Sequence, residues 1–546
     1  MDNPQNADTV RDMKAPVVLF GGQSLSPYAV KPLIQGCSAL SFEIERARSF
    51  PNVSEVYLLL QDTFDDEFIP PQCKVIRKSR WTLRDLLETL VEISREQDFL
   101  YFAWADCPLL DPSLTSAMVE RHLRWAAEYT FADGWPYGFA PEILAPSTAA
   151  ILLSIYKNST AHIASQEQQK NSDGTAFGRT AISRDALFQV LQKDINSFDI
   201  ETEIAPVDLR PYRLTLAADS KRNYLLLQRL INAGLDRAEL APEILEGHPE
   251  LLRTLPAFYQ IQVSRPCPQL CSFCPYPQFG NPRLPASPSE DFMSKSTFES
   301  LLDRIVEFSG DAVIDISLWG EAALHPDIKD LMGSVLRRPE LALIVETSGI
   351  GWISSHIEEL AAVVKYDPQP LRGPNKLPPL SWIVSLDARN GERYQEIRGA
   401  GFEEAYHFAE ILLQHFPGAV YVQAIRVKGS EDDMEQFYRY WKALGAEVII
   451  QKYDYFAGFL PQKRAGDISP LIRQPCWHLQ RDMAVLLDGT VPLCKEDVSR
   501  TRILGNVFND SLASIWESAQ ELYLEQSHKE YSGICKDCDE YYTFNF

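Results

Sequence analysis

Short apolar runs alternate with amphipathic stretches along most of the 546-residue chain. In the first third, Ala15-Pro-Val-Val-Leu-Phe20, Val53-Ser-Glu-Val-Tyr-Leu-Leu-Leu60 and Phe99-Leu-Tyr-Phe-Ala-Trp104 read as buried strands. Ser38 to Arg48 and Thr82 to Arg95 read as helices between them. This order predicts a parallel α/β sheet with ligands at the strand C-terminal ends. Gly234 to Leu255, with Pro242, Gly247 and Pro249, reads as a connector holding one or two helical turns.

The alternation then resumes. Phe258 to Val263, Val313 to Leu318, Ala342 to Val345, Trp382 to Leu386, Val420 to Ile425 and Val448 to Ile450 give six strand signals. Ser296-Thr-Phe-Glu299 offers a capping box, and Phe298, Leu301, Leu302, Ile305 and Val306 keep helical spacing after it. The aperiodic stretch Asp367 to Pro379 reads as a flap over the sheet's mouth or as a plain surface loop. Near the end, Met483 to Leu487 and Val491 to Leu493 flank Asp488-Gly489-Thr490, the pattern of a hairpin.

Length predicts roughly two to four domains. Hydrophobic content of 45% is enough for real cores, and a net charge of −23 argues against a broad nucleic-acid or acidic-membrane surface. Met1 to Lys14 is polar and no apolar run approaches a membrane span. Neither a signal peptide nor a membrane anchor is therefore expected. Ten cysteines in so long a chain, clustered at metal-like spacing, fit a reducing cytoplasm better than a disulfide framework. Cys37, Cys73 and Cys107 lack ligand spacing and read as structural.

Three thiols, Cys267, Cys271 and Cys274, fall at C-x3-C-x2-C directly after an apolar strand. Closed zinc and [4Fe–4S] sites take four protein ligands. A local trio therefore points to a cluster with one iron left open. A zinc knuckle with a distant fourth ligand, and three unrelated buried cysteines, are the other readings. The stretch, with Phe273 before the third cysteine, closely resembles the radical S-adenosylmethionine (SAM) signature. That resemblance implies a [4Fe–4S] cluster on the trio, SAM on the open iron, and a partial (β/α)6 barrel. It also implies SAM contacts from Gly320 and Glu321 in Trp319-Gly-Glu, from Ser348, from Ser385, and from Arg398 towards the SAM carboxylate. Trp319 stands where the family's motif has a first glycine.

Cys476, Cys494, Cys535 and Cys538 make a second set. Alone, a C-x2-C pair with two further cysteines also describes a zinc ribbon. Downstream of a radical SAM core, C-x12-G-x4-C…C-x2-C resembles the SPASM/twitch extension and implies one fully ligated auxiliary [4Fe–4S] cluster.

In the first third, Phe20-Gly21-Gly22-Gln-Ser24 with Lys31 downstream would let backbone amides approach phosphates. Asp106, at the end of a buried strand, suits Mg²⁺ with substrate phosphates. An ordinary strand–helix turn and a helix cap are the bland readings of these features. With Tyr212-Arg-Leu-Thr-Leu-Ala-Ala-Asp219, the region resembles the nucleotide-sugar cytidylyltransferase-like fold. It departs from that family in its adjacent glycines and in Ala217, where a metal-binding Asp is usual. The expectation is a Rossmann-like nucleotidyltransferase fold with its activity in doubt.

The domain order expected is 1–235 nucleotidyltransferase-like, 236–257 linker, 258–468 radical SAM core and 469–546 a small hairpin and helix domain for the auxiliary cluster. The whole order resembles the spiro-SPASM proteins. That resemblance adds architecture, not a reaction; the expected function is a cytoplasmic radical SAM enzyme, acting on a nucleotide- or sugar-linked small molecule that would suit the transferase-like domain, or on a peptide. A flavodoxin or ferredoxin would be the reductant, with neither nucleic acid nor membrane as partner. A nucleotidyltransferase with a structural metal domain is the reading from another class.

Overall fold

The computed structural model describes residues 13–22, 25–167, 182–276, 282–365, 371–373, 376–466 and 469–543. Contacts within the chain group it into two units, Met1–Leu252 and Arg253–Phe546. Among the described residues no helix is long and apolar enough to cross a membrane.

The first unit is built on a seven-stranded sheet in the order Lys74–Lys78, Val53–Gln61, Ala15–Phe20, Leu100–Trp104, Glu142–Leu144, Tyr129–Asp133, Ile200–Ile204. Its central strands Ala15–Phe20 and Leu100–Trp104 are continuous apolar runs because both faces are covered. Val17, Leu19, Leu58 and Tyr101 enter one core with Leu40 and Ile44 of helix Ala39–Ala47. Val18, Phe20, Leu59 and Phe102 enter the other with Leu86, Leu87 and Leu90 of helix Leu83–Ile93. That second helix starts on a capping box, Thr82 and Asp85 each accepting the other's backbone N–H at 3.1 and 3.0 Å. The sheet is mixed, not wholly parallel as the element order predicts. Glu142–Leu144 runs antiparallel to both neighbours.

His122, on helix Pro112–Arg124, is buried with Nδ1 2.9 Å from Thr130 Oγ1 and its ring against Phe99. Burial pushes its imidazole down to about 4. The native unit therefore holds it neutral while the unfolded chain takes up a proton below about pH 6.5. Stability is full above that pH and falls as pH drops towards 4. Urea titrations at pH 7 and pH 4 should show the wild type losing about 3 kcal/mol more than His122→Gln across this window.

The second unit carries a seven-stranded, wholly parallel sheet. Its order is Glu447–Lys452, Val420–Arg426, Leu380–Ser385, Leu341–Thr347, Ala312–Asp315, Phe258–Ile261, Asp482–Val485. Six strands follow the predicted signals. The seventh, Asp482–Val485, comes from the predicted hairpin arm and pairs with Phe258–Ile261 instead. The turn itself forms, with Leu486 N–H donating to Thr490 O at 2.8 Å and Gly489 at φ 79°. Its far arm, Thr490–Pro492, pairs antiparallel with Ile503–Asn506.

Two further expectations are corrected. Helix Lys295–Ser309 is capped by Ser294, not Ser296, and Glu299 instead accepts from Ser334 Oγ at 2.6 Å. The stretch read as a flap closes the opposite end of the sheet. Buried Arg372 donates to Leu336 O and Arg338 O at 2.9 and 3.2 Å, before strand Leu341–Thr347 begins, and Gly373 packs on Ala312 O. Residues 367–370 and 374–375 of that stretch lie outside the described residues.

Candidate functional site

Alternate residues of a strand face one side. On the inner face of the second unit's sheet, Phe258, Val313, Ala342, Ile344 and Ile383 form an apolar floor. Two residues on from Phe258, Val313, Ile344, Ile383 and Tyr421, the same face becomes polar, with Gln260, Asp315, Glu346, Ser385 and Gln423. Glu346 Oε1 accepts from Ser385 Oγ at 3.1 Å and from Gln423 Nε2 at 2.7 Å. Burial, then the Glu346 charge, pushes Asp315 up to about 7. This polar ring marks the mouth at the strand C-terminal ends, where parallel α/β sheets place their chemistry. Ser385 was expected there; the other four were not.

The cysteine loop follows strand Phe258–Ile261 and is tied down by backbone hydrogen bonds. Leu270 N–H donates to Arg398 O at 3.0 Å, Ser272 N–H to Ile397 O at 2.9 Å, and Cys267 N–H to Pro282 O at 3.0 Å. All ten cysteines are free. Cys267 is pushed up to about 12 by burial first, then by Glu321, Cys271 and Cys274. Cys274 reaches about 12 through burial, Cys271 and, more weakly, Glu346. Three partly buried thiols within eight residues, each raised by desolvation, form a donor set whose thiolates need a bound cation, and iron supplies one.

Arg398 is buried, pairs with Asp387 at 2.5 Å, and lies 5.7 Å from the Phe273 ring centroid. Burial alone would lower its pKa; Cys271 and Asp387 more than offset that. The guanidinium thus sits beneath the cysteine loop, already partnered. Glu321 is also committed. Its Oε1 accepts from Thr347 Oγ1 at 2.6 Å and Ala323 N–H at 3.3 Å; its Oε2 accepts from Ser348 N–H at 2.8 Å and Ser348 Oγ at 2.6 Å. Glu321 and Ser348 are therefore brought together as a tie between two strand ends. Trp319 adopts φ 57°, rare for a bulky residue. Gly320 lies so close to Ser264 that a Cβ would stand 1.9 Å from its carbonyl oxygen.

The second thiol set also converges. Cys494 is pushed well up by burial and Glu496, then by Cys538, Cys476 and Cys535. Cys476 N–H donates to Gln526 Oε1 at 2.9 Å, and Arg473 donates to Cys535 O at 2.6 Å. A zinc ion with 2.3 Å bonds would draw four sulfurs to about 3.8 Å of one another. Among the described residues, the group whose ligand atoms all lie within 4.8 Å is Asp454, Glu496 and Glu540. Neither thiol set is gathered within that distance.

Tyr276 stands between the two sets, its ring 4.8 Å from Trp319. Burial, then Cys274, Glu496, Asp454 and Cys494, raise its hydroxyl. Lys495 lies 3.2 Å from Glu496, and Lys452 3.0 Å from Asp539. The acids and bases flanking the second set were missed, because charged residues beside cysteines look like ordinary turn residues.

In the first unit, Asp106 is buried and bound by Arg184, and Lys31 Nζ lies 4.2 Å from the Tyr28 ring centroid. Gly21 and Gly22 pack against Leu60 and Trp104. Gln23 and Ser24 lie outside the described residues.

A three-thiol loop thus lies at the mouth of the parallel sheet, with a four-thiol set downstream of it. Residues 476–539 match the model of the SPASM family, described as an iron–sulfur cluster-binding domain. The chain belongs to the same family as an uncharacterised protein of Treponema pallidum (strain Nichols), 38% identical over 368 residues, 66% of this chain and 98% of that protein. Solved structures overlap in part. A cytidylyltransferase from Leptospira borgpetersenii has 18% identity, covers 44% of this chain and 97% of its own, and gives a TM-score of 0.35. Streptococcus suis SuiB bound to S-adenosylmethionine has 14% identity, covers 55% and 76%, and gives 0.40.

Proposed function

We propose that the second unit cleaves SAM reductively at the Cys267–Cys271–Cys274 site and abstracts hydrogen from a substrate, with net oxidation. The observation that carries this is the thiol trio in one short loop at a polar mouth, with a four-thiol set in the same unit. A [4Fe–4S] cluster with one open iron, given SAM and one electron from a flavodoxin or ferredoxin, supplies a 5′-deoxyadenosyl radical. Cys476, Cys494, Cys535 and Cys538 would hold a fully ligated cluster suited to taking an electron from the substrate radical, which with loss of a proton would complete the oxidation.

The chain's own residues set the frame. Arg398 anchors the cysteine loop through its backbone carbonyl and places a positive charge beneath Cys271. The SAM ammonium needs an anion, and Glu321 has its acceptors filled. Glu346 is the exposed carboxylate of the polar ring and lies near enough to Cys274 to raise it. Glu346→Gln is expected to raise the KM for SAM about tenfold, the scale of one charge-assisted hydrogen bond, with iron content unchanged. The substrate is a nucleotide- or sugar-linked small molecule. A peptide is the alternative that product analysis separates from it.

The test is anaerobic reduction with SAM. Release of 5′-deoxyadenosine and methionine, at about eight irons per chain, is the expected result. Protein that carries this iron, binds SAM and releases neither product would rule the proposal out.

A further inference from the structure

The transferase-like first unit implies Mg²⁺ at Asp106, and its residues do not fit one. Arg184 donates through both terminal nitrogens to the Asp106 carboxylate, Nη1 to Oδ1 at 2.9 Å and Nη2 to Oδ2 at 2.6 Å. The same Nη2 reaches Asp219 Oδ2 at 3.1 Å. Asp219 is the acid that follows Ala217, and its other oxygen accepts from Asn223 Nδ2 at 2.8 Å. The two carboxylate segments are joined by Ala218 N–H donating to Asp106 O at 2.7 Å. Asp106 and Asp219, the two acids brought together here, are thus spanned by one guanidinium.

The guanidinium is itself enclosed. Its central carbon lies 5.0 Å from the ring centroids of both Trp104 and Tyr137. Trp104 Nε1 donates back to Arg184 O at 3.3 Å. A planar cation between aromatic faces, gripped in a fork by a carboxylate, is well satisfied. Hard divalent ions need the same oxygens at about 2.1 Å, with waters completing the shell. The bidentate pairing leaves Asp106 no such freedom. The glycines complete the picture. Gly22, at φ 70°, gives Trp104 room, since a Cβ would stand 3.0 Å from the indole. Gly21 packs on Leu60 and Leu59 O in the same way. Gly22 therefore serves the clasp that positions Trp104 against Arg184.

We propose that Arg184 takes the place of the divalent cation between Asp106 and Asp219, so that the first unit binds no metal there and transfers no nucleotide by a metal-dependent route. Removing the guanidinium should uncover a cation site that the wild type lacks.

The test uses the full-length protein with its clusters loaded and oxidised, and follows free Mn²⁺ by electron paramagnetic resonance. Wild type and Asp106→Asn should take up equal Mn²⁺. Arg184→Ala should gain about one equivalent, bound at least about tenfold more tightly than any wild-type uptake at this site, and Arg184→Ala/Asp106→Asn should lose it. An equivalent present in wild type and absent in Asp106→Asn overturns the proposal. So does a folded Arg184→Ala that gains nothing. Wild-type crystals soaked in MnCl₂ decide the matter if the variants fail to fold. No anomalous peak should lie between Asp106 and Asp219, and a peak there would overturn the assignment.

Discussion

Replacing Cys267, Cys271 and Cys274 together by Ala is expected to remove about half of the iron and to abolish release of 5′-deoxyadenosine. The trio is the whole donor set of one site, and Cys476, Cys494, Cys535 and Cys538 belong to the other. Burial holds Cys267 and Cys274 near 12, so as free thiols they stay protonated and useless as ligands. Iron binding has to displace those protons, and it does so only where several sulfurs act together. The loop should survive the change, because it is fixed through main-chain bonds to Ile397, Arg398 and Pro282. Lost activity would then report lost iron, not a lost fold. The complementary variant, Cys535→Ala with Cys538→Ala, should lose the other half of the iron and still release 5′-deoxyadenosine. A triple variant that keeps its full iron content, or keeps cleaving SAM, would remove the basis of the proposed function.

Much of this arrangement was legible in the sequence. Strands such as Ala15–Phe20 and Leu100–Trp104 could be read as apolar runs, and the two thiol sets because their spacing is local; the short or charged strands Lys74–Lys78, Tyr129–Asp133, Glu142–Leu144 and Ile200–Ile204 could not. What could not be read depends on pairing between distant segments. Met483 to Leu487 looks the same whether it folds back on a hairpin or docks beside Phe258–Ile261, and only the free edge of the barrel sheet decides. The polar ring was hidden for a related reason. Asp315, Glu346 and Gln423 each stand at or near the end of an apolar run, where a polar residue usually signals that a strand is over. Arg184 is 78 residues from Asp106, with no periodicity linking them.

The Trp319-Gly320-Glu321 segment shows how a departure from a motif can mislead. Losing the first glycine suggests a relaxed turn, yet the structure concentrates the steric demand on the second. Without its first glycine the segment still passes against the strand that feeds the cysteine loop. A Cβ on Gly320 would lie 1.9 Å from Ser264 O and 2.8 Å from Ser264 C, both backbone atoms that no rotamer change can move. Ser264 is buried, and the next residue is pinned, Glu321 N–H donating to Pro266 O at 2.9 Å. Gly320→Ala therefore forces two backbones apart at the root of the trio. It is expected to cost about 3 kcal/mol or more and to lower the unfolding midpoint of the second unit by about 5 °C or more. It should also empty the trio of iron although every cysteine remains. Gly333→Ala is the matched control. It lies within helix Ile328–Leu336, where a Cβ meets only the tip of Arg337 at 3.4 Å, and helix propensity should stabilise it by up to about 1 kcal/mol. Iron counts and thermal unfolding on the two variants separate the cases. If Gly320→Ala loads iron and melts like Gly333→Ala, the close approach that sets the cysteine loop beside Glu321 is not what holds the site together.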